Sequence, residues 1–147
     1  IPVFFIQSIL QYATKIKDKS KDEFHKFLSN YFKFGLLTTL IIAIITCYLS
    51  DFIIEFFADK KIDYSSKILS LLSFIPFLAM LNFKNVVYML VNDFKSKLNK
   101  ATFYTLLLFL INSLILTNIY GGYGLAYSLL LTEIFSFIIH YFLINRK

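Results

Sequence analysis

A long stretch without formal charge constrains this chain more than any other feature. Residues 101–132 contain no Asp, Glu, Lys, Arg or His, and only a glycine-rich segment, Tyr120-Gly121-Gly122-Tyr123-Gly124, interrupts them. A bilayer hydrocarbon core about 30 Å thick needs roughly 20 apolar residues per helix, so this segment divides the stretch between two spans. The sequence therefore predicts a helical hairpin inside a membrane.

The composition of the whole chain also favours a membrane environment. Hydrophobic residues fill 58% of the 147 positions and charged residues 16%, whereas soluble domains carry about 45–50% and about 25%. The net charge of +6 comes from lysines in short segments between apolar runs, so nucleic acid is not a predicted partner. Paired carboxylates, metal-ligand spacings, phosphate-binding glycine loops and nucleophile triads are not recognised in the sequence, so we expect no enzyme, cofactor or metal.

Four complete transmembrane helices are predicted, because long runs of Leu, Ile and Phe favour helices over the alternating pattern of barrel strands. The predicted spans are residues 34–57, 68–92, 101–119 and 125–144. Residues 1–14 are interpreted as the end of a preceding transmembrane helix. Residues 15–33, which are rich in Lys and have apolar residues at helical spacing, are interpreted as a cytoplasmic amphipathic helix. The predicted fold class is an all-α polytopic transmembrane helix bundle.

The basic residues predict the orientation of the bundle. Eleven lie on one predicted side: Lys15, Lys17, Lys19, Lys21, Lys26, Lys33, Lys95, Lys97, Lys100, Arg146 and Lys147. Only Lys60, Lys61 and Lys67 lie on the other. Because positive residues accumulate on the cytoplasmic side, we expect a cytoplasmic C-terminus and an external glycine-rich turn.

Polar residues within the spans are the candidate functional groups, since each is costly in lipid. At 100° per residue, Ser73 and Lys84 share one face of the second span, and Glu133 and Ser136 share one face of the fourth. Lines of Ser, Thr and Gly also serve as helix-packing seams, which is the alternative for the serines. A charge at the centre of a span costs about 2.5–3.5 kcal/mol, so Lys84 and Glu133 are the stronger candidates for substrate binding or ion coupling.

Two further residues of the spans have alternative interpretations. Pro76 interrupts the hydrogen-bond ladder of the second span and predicts a kink, which is either a hinge or a static bend. His140 lies within a turn of the predicted cytoplasmic boundary, so an interfacial position is expected.

Three segments resemble Wzx-type polysaccharide flippases, within the superfamily of multidrug, oligosaccharidyl-lipid and polysaccharide exporters. Ile1-Pro2-Val3 with Gln7-Ser8-Ile9 and the following Lys-rich helix resembles the end of the eighth helix of that family. The stretch Asp59-Lys60-Lys61-Ile62-Asp63-Tyr64-Ser65-Ser66-Lys67-Ile68-Leu69 resembles the outer loop and start of the tenth helix. Tyr120-Gly121-Gly122-Tyr123-Gly124-Leu125-Ala126 resembles the turn between the last two helices. The glycine usual before the tenth helix and a proline often found before the last turn are missing here.

The resemblance implies a multi-pass protein of the bacterial cytoplasmic membrane, of which this chain is the C-terminal part of the second helical lobe. It implies flipping of an undecaprenyl-pyrophosphate-linked oligosaccharide by alternating access, with a missing N-terminal lobe and a coupling cation as partners besides the bilayer. In that picture Lys84 stabilises the diphosphate, while Glu133 and Ser136 bind sugar hydroxyls or the cation. The alternatives are a drug/cation antiporter of the same superfamily and a membrane scaffold that transports nothing.

Overall fold

The computed structural model describes the backbone of residues 2–145 and the side chains of residues 9–145. The described part of the chain is 91% helical. The described residues form seven helices: α1 (Pro2–Lys19), α2 (Lys21–Tyr48), α3 (Ser50–Ala58), α4 (Asp63–Leu72), α5 (Ile75–Val91), α6 (Lys95–Tyr120) and α7 (Gly122–Asn145).

Four helical stretches are long and apolar enough to cross a membrane: Lys21–Tyr48, Asp63–Val91, Lys95–Tyr120 and Gly122–Asn145. Their outer faces expose many large Leu, Ile and Phe side chains, as lipid-facing surfaces do. The predicted all-α transmembrane bundle is therefore confirmed.

The Lys-rich segment at 15–33 is not one separate helix in the structure. Ser20 has an extended backbone (φ −158°, ψ 126°), and its hydroxyl accepts a hydrogen bond from the Glu23 N–H at 3.4 Å, which caps the start of α2. The helix that begins there continues without interruption into the first span, to Tyr48. The amphipathic part thus belongs half to α1 and half to α2.

The second span is broken next to its proline. Leu72 ends α4 and Ile75 begins α5, with Pro76 in the first turn of the new helix. Proline has no N–H to donate to the carbonyl of residue 72, and its ring crowds that carbonyl, so the α-helical ladder stops there. The predicted interruption is therefore a two-residue break between two helices.

A single residue, Gly121, joins α6 to α7. Its backbone (φ 60°, ψ −135°) is open to glycine and strained for other residues. Because the connection is this short, α6 and α7 lie antiparallel and form the most extensively packed pair of helices in the bundle. We call this the turn end, and we call the opposite end, where α5 and α7 finish and α6 begins, the basic end.

A small hydrophobic core at the basic end fixes α1 and α2 against α5. Ala13, Phe24, Leu28 and Val87 are buried together there. The Lys17 ammonium donates to the Val91 carbonyl at 2.8 Å, an interaction that favours a helix C-terminus. The Lys-rich helices therefore pack on the bundle, so the basic end is built from α1, α2, α5, α6 and α7 together.

Candidate functional site

A polar contact joins α5 to α7 near the middle of both helices. The Asn82 side-chain amide donates both to the Glu133 carboxylate (Nδ2 to Oε2, 3.0 Å) and to the Glu133 main-chain carbonyl (3.2 Å). Asn82 is buried and Glu133 is half-buried, and both lie near the middle of their helices. At a rise of 1.5 Å per residue, Glu133 is about 17 Å from either end of α7. The structure thus places a carboxylate with one amide partner midway along a helix of span length.

The partners of this pair are incomplete. Asn82 Oδ1 is buried and has no hydrogen-bond partner in the described part of the chain. A buried polar atom without a partner costs about 1–3 kcal/mol, and more where no water reaches it. An unpaired amide oxygen beside a carboxylate leaves room for a donor such as a hydroxyl, an ammonium group or a proton on the carboxylate.

A groove of about 480 Å³ lies between α5, α6 and α7, and its lining includes Thr132, the neighbour of Glu133 in the chain, but neither Glu133 nor Asn82. Its polar side comes from α7, where Thr132, Ser136 and His140 recur every four residues and are all buried. Its other residues are Val86, Leu98, Thr102, Thr105, Leu106 and Phe109. Thr105 Oγ1 is buried and has no hydrogen-bond partner among the residues that the structure describes. The groove is thus apolar on most of its surface, with a line of hydroxyl and imidazole groups along one wall.

The hydrogen bonds of His140 fix its tautomer. Its Nδ1 lies 2.7 Å from the Ser136 carbonyl oxygen, which can only accept, so Nδ1 carries a proton. The Ser136 hydroxyl lies 3.3 Å from the same nitrogen. In the neutral ring, Nε2 is then an acceptor that faces no protein donor in the described contacts. The ring is buried between α7 and the neighbouring α5 and α6, and its expected depth near the cytoplasmic boundary stays a prediction.

Lys84 lies away from Glu133. It follows Asn82 by two positions, which is roughly 200° around a helix, so it projects from the opposite side of α5. Its ammonium is 5.9 Å from the centre of the Phe32 ring on α2. The described contacts of Glu133 include Asn82 but no ion pair with Lys84. Lys84 and Ser136 therefore line two different pockets.

Comparison with known protein families decides the membership of the chain. Residues 7–147 match the model of a family described as polysaccharide biosynthesis protein. The chain belongs to this family. No curated protein and no solved structure matched it.

The remaining predicted residues of this polysaccharide biosynthesis protein lie at the break in the second span. Ser73 is buried, and its hydroxyl donates to the Ser70 carbonyl at 2.7 Å, so its proton is already used within the chain. The Ser70 hydroxyl lies 3.1 Å from the Cys47 sulfur on α2. Pro76, the second residue of α5, follows them along the chain. The Ser70–Cys47 contact therefore joins α4 to α2, while the Ser73 contact stays within one turn of the chain.

Sequence reasoning missed Asn82 in this polysaccharide biosynthesis protein and undervalued His140. Asn82 carries no charge and stands alone between apolar residues, so hydropathy does not single it out. Its position in the middle of a span was a usable signal, since a side-chain amide in lipid needs a hydrogen-bond partner as a carboxylate does. Which partner it meets depends on how α5 and α7 are rotated against each other.

Proposed function

We propose that this chain is the C-terminal part of the second helical lobe of a transporter that flips an undecaprenyl-pyrophosphate-linked oligosaccharide. Transport runs from the cytoplasmic to the external leaflet of the bacterial cytoplasmic membrane by alternating access. Membership of the polysaccharide biosynthesis family and four span-length helices support this proposal. The C-terminus is cytoplasmic in the proposed orientation.

The observation that carries the proposal is the Asn82–Glu133 pair beside the groove of Ser136 and His140. Sugar hydroxyls both donate and accept, so they need a site that offers both kinds of group. Glu133, Asn82 Oδ1 and His140 Nε2 accept, the Thr105 hydroxyl donates, and Ser136 can do either. A passing oligosaccharide thus meets hydrogen-bonding groups at a depth where the bilayer offers none.

Glu133 is also the group that we propose for coupling. A carboxylate at mid-membrane depth is stabilised when a cation or a proton accompanies it, and the unpartnered Asn82 Oδ1 adds a second oxygen next to it. Exchange of a cation at this pair during alternating access would drive the flipping step. The proposal needs a second lobe, formed by a part of the protein outside this chain, to close the cavity.

The two alternative functions predict different substrates and different interiors. A drug/cation antiporter of the same superfamily would keep the coupling role of Glu133 but would not take up a lipid-linked sugar. A scaffold would need neither a carboxylate at depth nor water in the groove. Uptake of lipid-linked oligosaccharide by reconstituted vesicles therefore separates the two transporters. Labelling of a cysteine at position 136 by a water-soluble thiol reagent separates both from the scaffold.

The test of the proposal is Glu133→Gln in the full-length protein. Glutamine keeps the oxygen that accepts from Asn82, so the α5–α7 contact survives while the charge is lost. We expect surface-glycan assembly and lipid-linked sugar uptake to fall at least tenfold, and Glu133→Asp to fall less because it keeps the carboxylate. Ser113→Ala on α6, whose hydroxyl donates only to its own helix, is the control. Full glycan assembly by Glu133→Gln at matched protein level would remove Glu133 from the site.

A further inference from the structure

Two breaks in neighbouring spans bound one short helical hairpin. Leu49 separates α2 from α3 within the first predicted span, and residues 73–74 separate α4 from α5 within the second. Between the breaks, α3 and α4 are joined by residues 59–62 and pack against each other. We call this hairpin the flap. Its loop lies at the turn end, because Tyr64 in the first turn of α4 contacts Gly122 at the start of α7.

The two breaks lie at the same depth below the loop of the flap. α3 has 9 residues and α4 has 10, so their lengths at 1.5 Å per residue are about 14 Å and 15 Å. A side-chain contact joins the two breaks: the Cys47 sulfur, just before the first, lies 3.1 Å from the Ser70 hydroxyl oxygen, just before the second. Two breaks at one depth, held together by a contact, have the geometry of a single hinge.

The backbone at the first break is interrupted without a proline. The Leu49 N–H donates to the Ile45 carbonyl at 2.9 Å, and the Leu49 carbonyl accepts from the Ile53 N–H at 2.9 Å. Between these two bonds the ladder stops, so α2 and α3 are separate helices.

The second break repeats this pattern. The Ser73 N–H donates to the Leu69 carbonyl at 2.9 Å, and the next helix starts with the Leu78 N–H donating to the Phe74 carbonyl at 3.0 Å. Here Pro76 supplies the cause, since it has no N–H to donate. Fewer backbone bonds cross each break than cross a helical turn, so both breaks bend more easily than the helices beside them.

At its tip the flap is attached to the bundle by a small polar contact. The Tyr64 hydroxyl accepts from the Gly122 N–H at 2.9 Å, and its ring packs edge-on against Tyr123 with centroids 4.8 Å apart. A methyl group on Gly122 would lie 2.8 Å from the Tyr64 oxygen, so glycine is the residue that lets the phenol approach this closely. One neutral hydrogen bond is a weak attachment, which thermal motion can break and remake.

We propose that the flap is a gate, which swings about the hinge formed by Leu49 and residues 73–74 and is held shut by the Tyr64–Gly122 hydrogen bond. In the orientation given under the proposed function, opening the gate admits water from the external side between α4 and α7. The role of the gate in transport rests on the proposed function, whereas the swing itself needs neither substrate nor Glu133. The alternative is a static bend with the same backbone.

A cysteine placed beneath the flap reports its opening. Ala126 is 1% exposed and lies four residues after Gly122, so it shares the face of α7 that packs on α4. Ser128 is 0% exposed, and it lies about 40° from Gly124, the residue that touches the α6 main chain. Ala126→Cys is therefore the probe, and Ser128→Cys, equally buried but on the side of α6, is its matched control.

The experiment measures how fast each introduced cysteine reacts with a membrane-impermeant methanethiosulfonate reagent in the full-length protein, reconstituted in vesicles with Cys47→Ser. Tyr64→Phe removes the hydrogen bond of the gate, so the cysteine at position 126 should react about two to ten times faster. Pro76→Ala supplies the missing N–H and stiffens the hinge, so the same cysteine should react about threefold more slowly or less. Tyr120→Phe, whose phenol lies outside the gate, should leave the rate unchanged.

The control position decides between a gate and a general loosening. A faster reaction in Tyr64→Phe that is confined to position 126 supports the gate. Equal acceleration at position 128 would mean that the whole bundle loosens and would overturn it. Unchanged rates at position 126 in both Tyr64→Phe and Pro76→Ala would identify a static bend. Because the reaction is measured without lipid-linked sugar, it can fail while Glu133→Gln still abolishes transport, and the reverse, so the two proposals are tested separately.

Discussion

Replacing Gly124 by alanine tests how closely α6 and α7 approach at the turn end. A methyl group on Gly124 would overlap the carbonyl group of Leu116, which is main chain of α6. A backbone carbonyl inside a helix cannot swing aside, so the two helices must separate locally. The same substitution at Gly35 places its methyl against the terminal methyl of Met80, which is the free end of a flexible side chain.

The two substitutions therefore differ in the size of their effect on stability. Overpacking a rigid contact costs about 1–3 kcal/mol, and Gly124→Ala recovers little helix propensity because it lies in the first turn of α7. At Gly35 a rotamer change of Met80 costs about 0.5–1.5 kcal/mol. That cost is offset by the gain of about 1 kcal/mol for alanine over glycine inside a helix. We expect Gly124→Ala to be less stable than Gly35→Ala by about 1–3 kcal/mol.

Thermal unfolding of the full-length protein in detergent, followed by circular dichroism, measures this difference. Gly124→Ala should unfold several degrees below the wild type, and Gly35→Ala within a degree or two of it. Equal midpoints for the two variants, or a higher midpoint for Gly124→Ala, would refute the close approach of α6 and α7 at Leu116.

Three further predictions concern the contacts that fix the bundle. Tyr64→Phe removes the phenol oxygen that accepts from the Gly122 N–H at 2.9 Å but keeps the ring against Tyr123. It should lower the stability of the protein by about 0.5–1.5 kcal/mol, and Tyr120→Phe is the control. Asn82→Leu alone should destabilise the protein more than the double variant Asn82→Leu/Glu133→Leu, because the single variant leaves the Glu133 carboxylate without its donor. A double-mutant cycle should give a coupling energy of about 0.5–3 kcal/mol. Additive effects would contradict the Asn82–Glu133 hydrogen bond. Reporter fusions after Gly122 and after residue 147 should give external and cytoplasmic signals, and a cytoplasmic signal at Gly122 would reverse the orientation.

The sequence alone was enough to predict the fold class, because each transmembrane span can be recognised from its own residues. A hydrocarbon core of about 30 Å selects apolar runs of about 20 residues, whatever the helices pack against. The glycine-rich turn was also readable, since Gly121 has a backbone that other residues avoid. Glu133 and Lys84 stood out as candidates for the same local reason, namely the cost of a charge in lipid.

The tertiary structure decided which polar groups meet. A helical-wheel argument placed Ser73 and Lys84 on one face only because it assumed an unbroken second span, and the break before Pro76 ends that common register. Rotation of α5 against α7 then turns Asn82 toward Glu133 and Lys84 toward Phe32. These rotations follow from packing between distant parts of the chain, so they cannot be predicted from the hydropathy of any one segment.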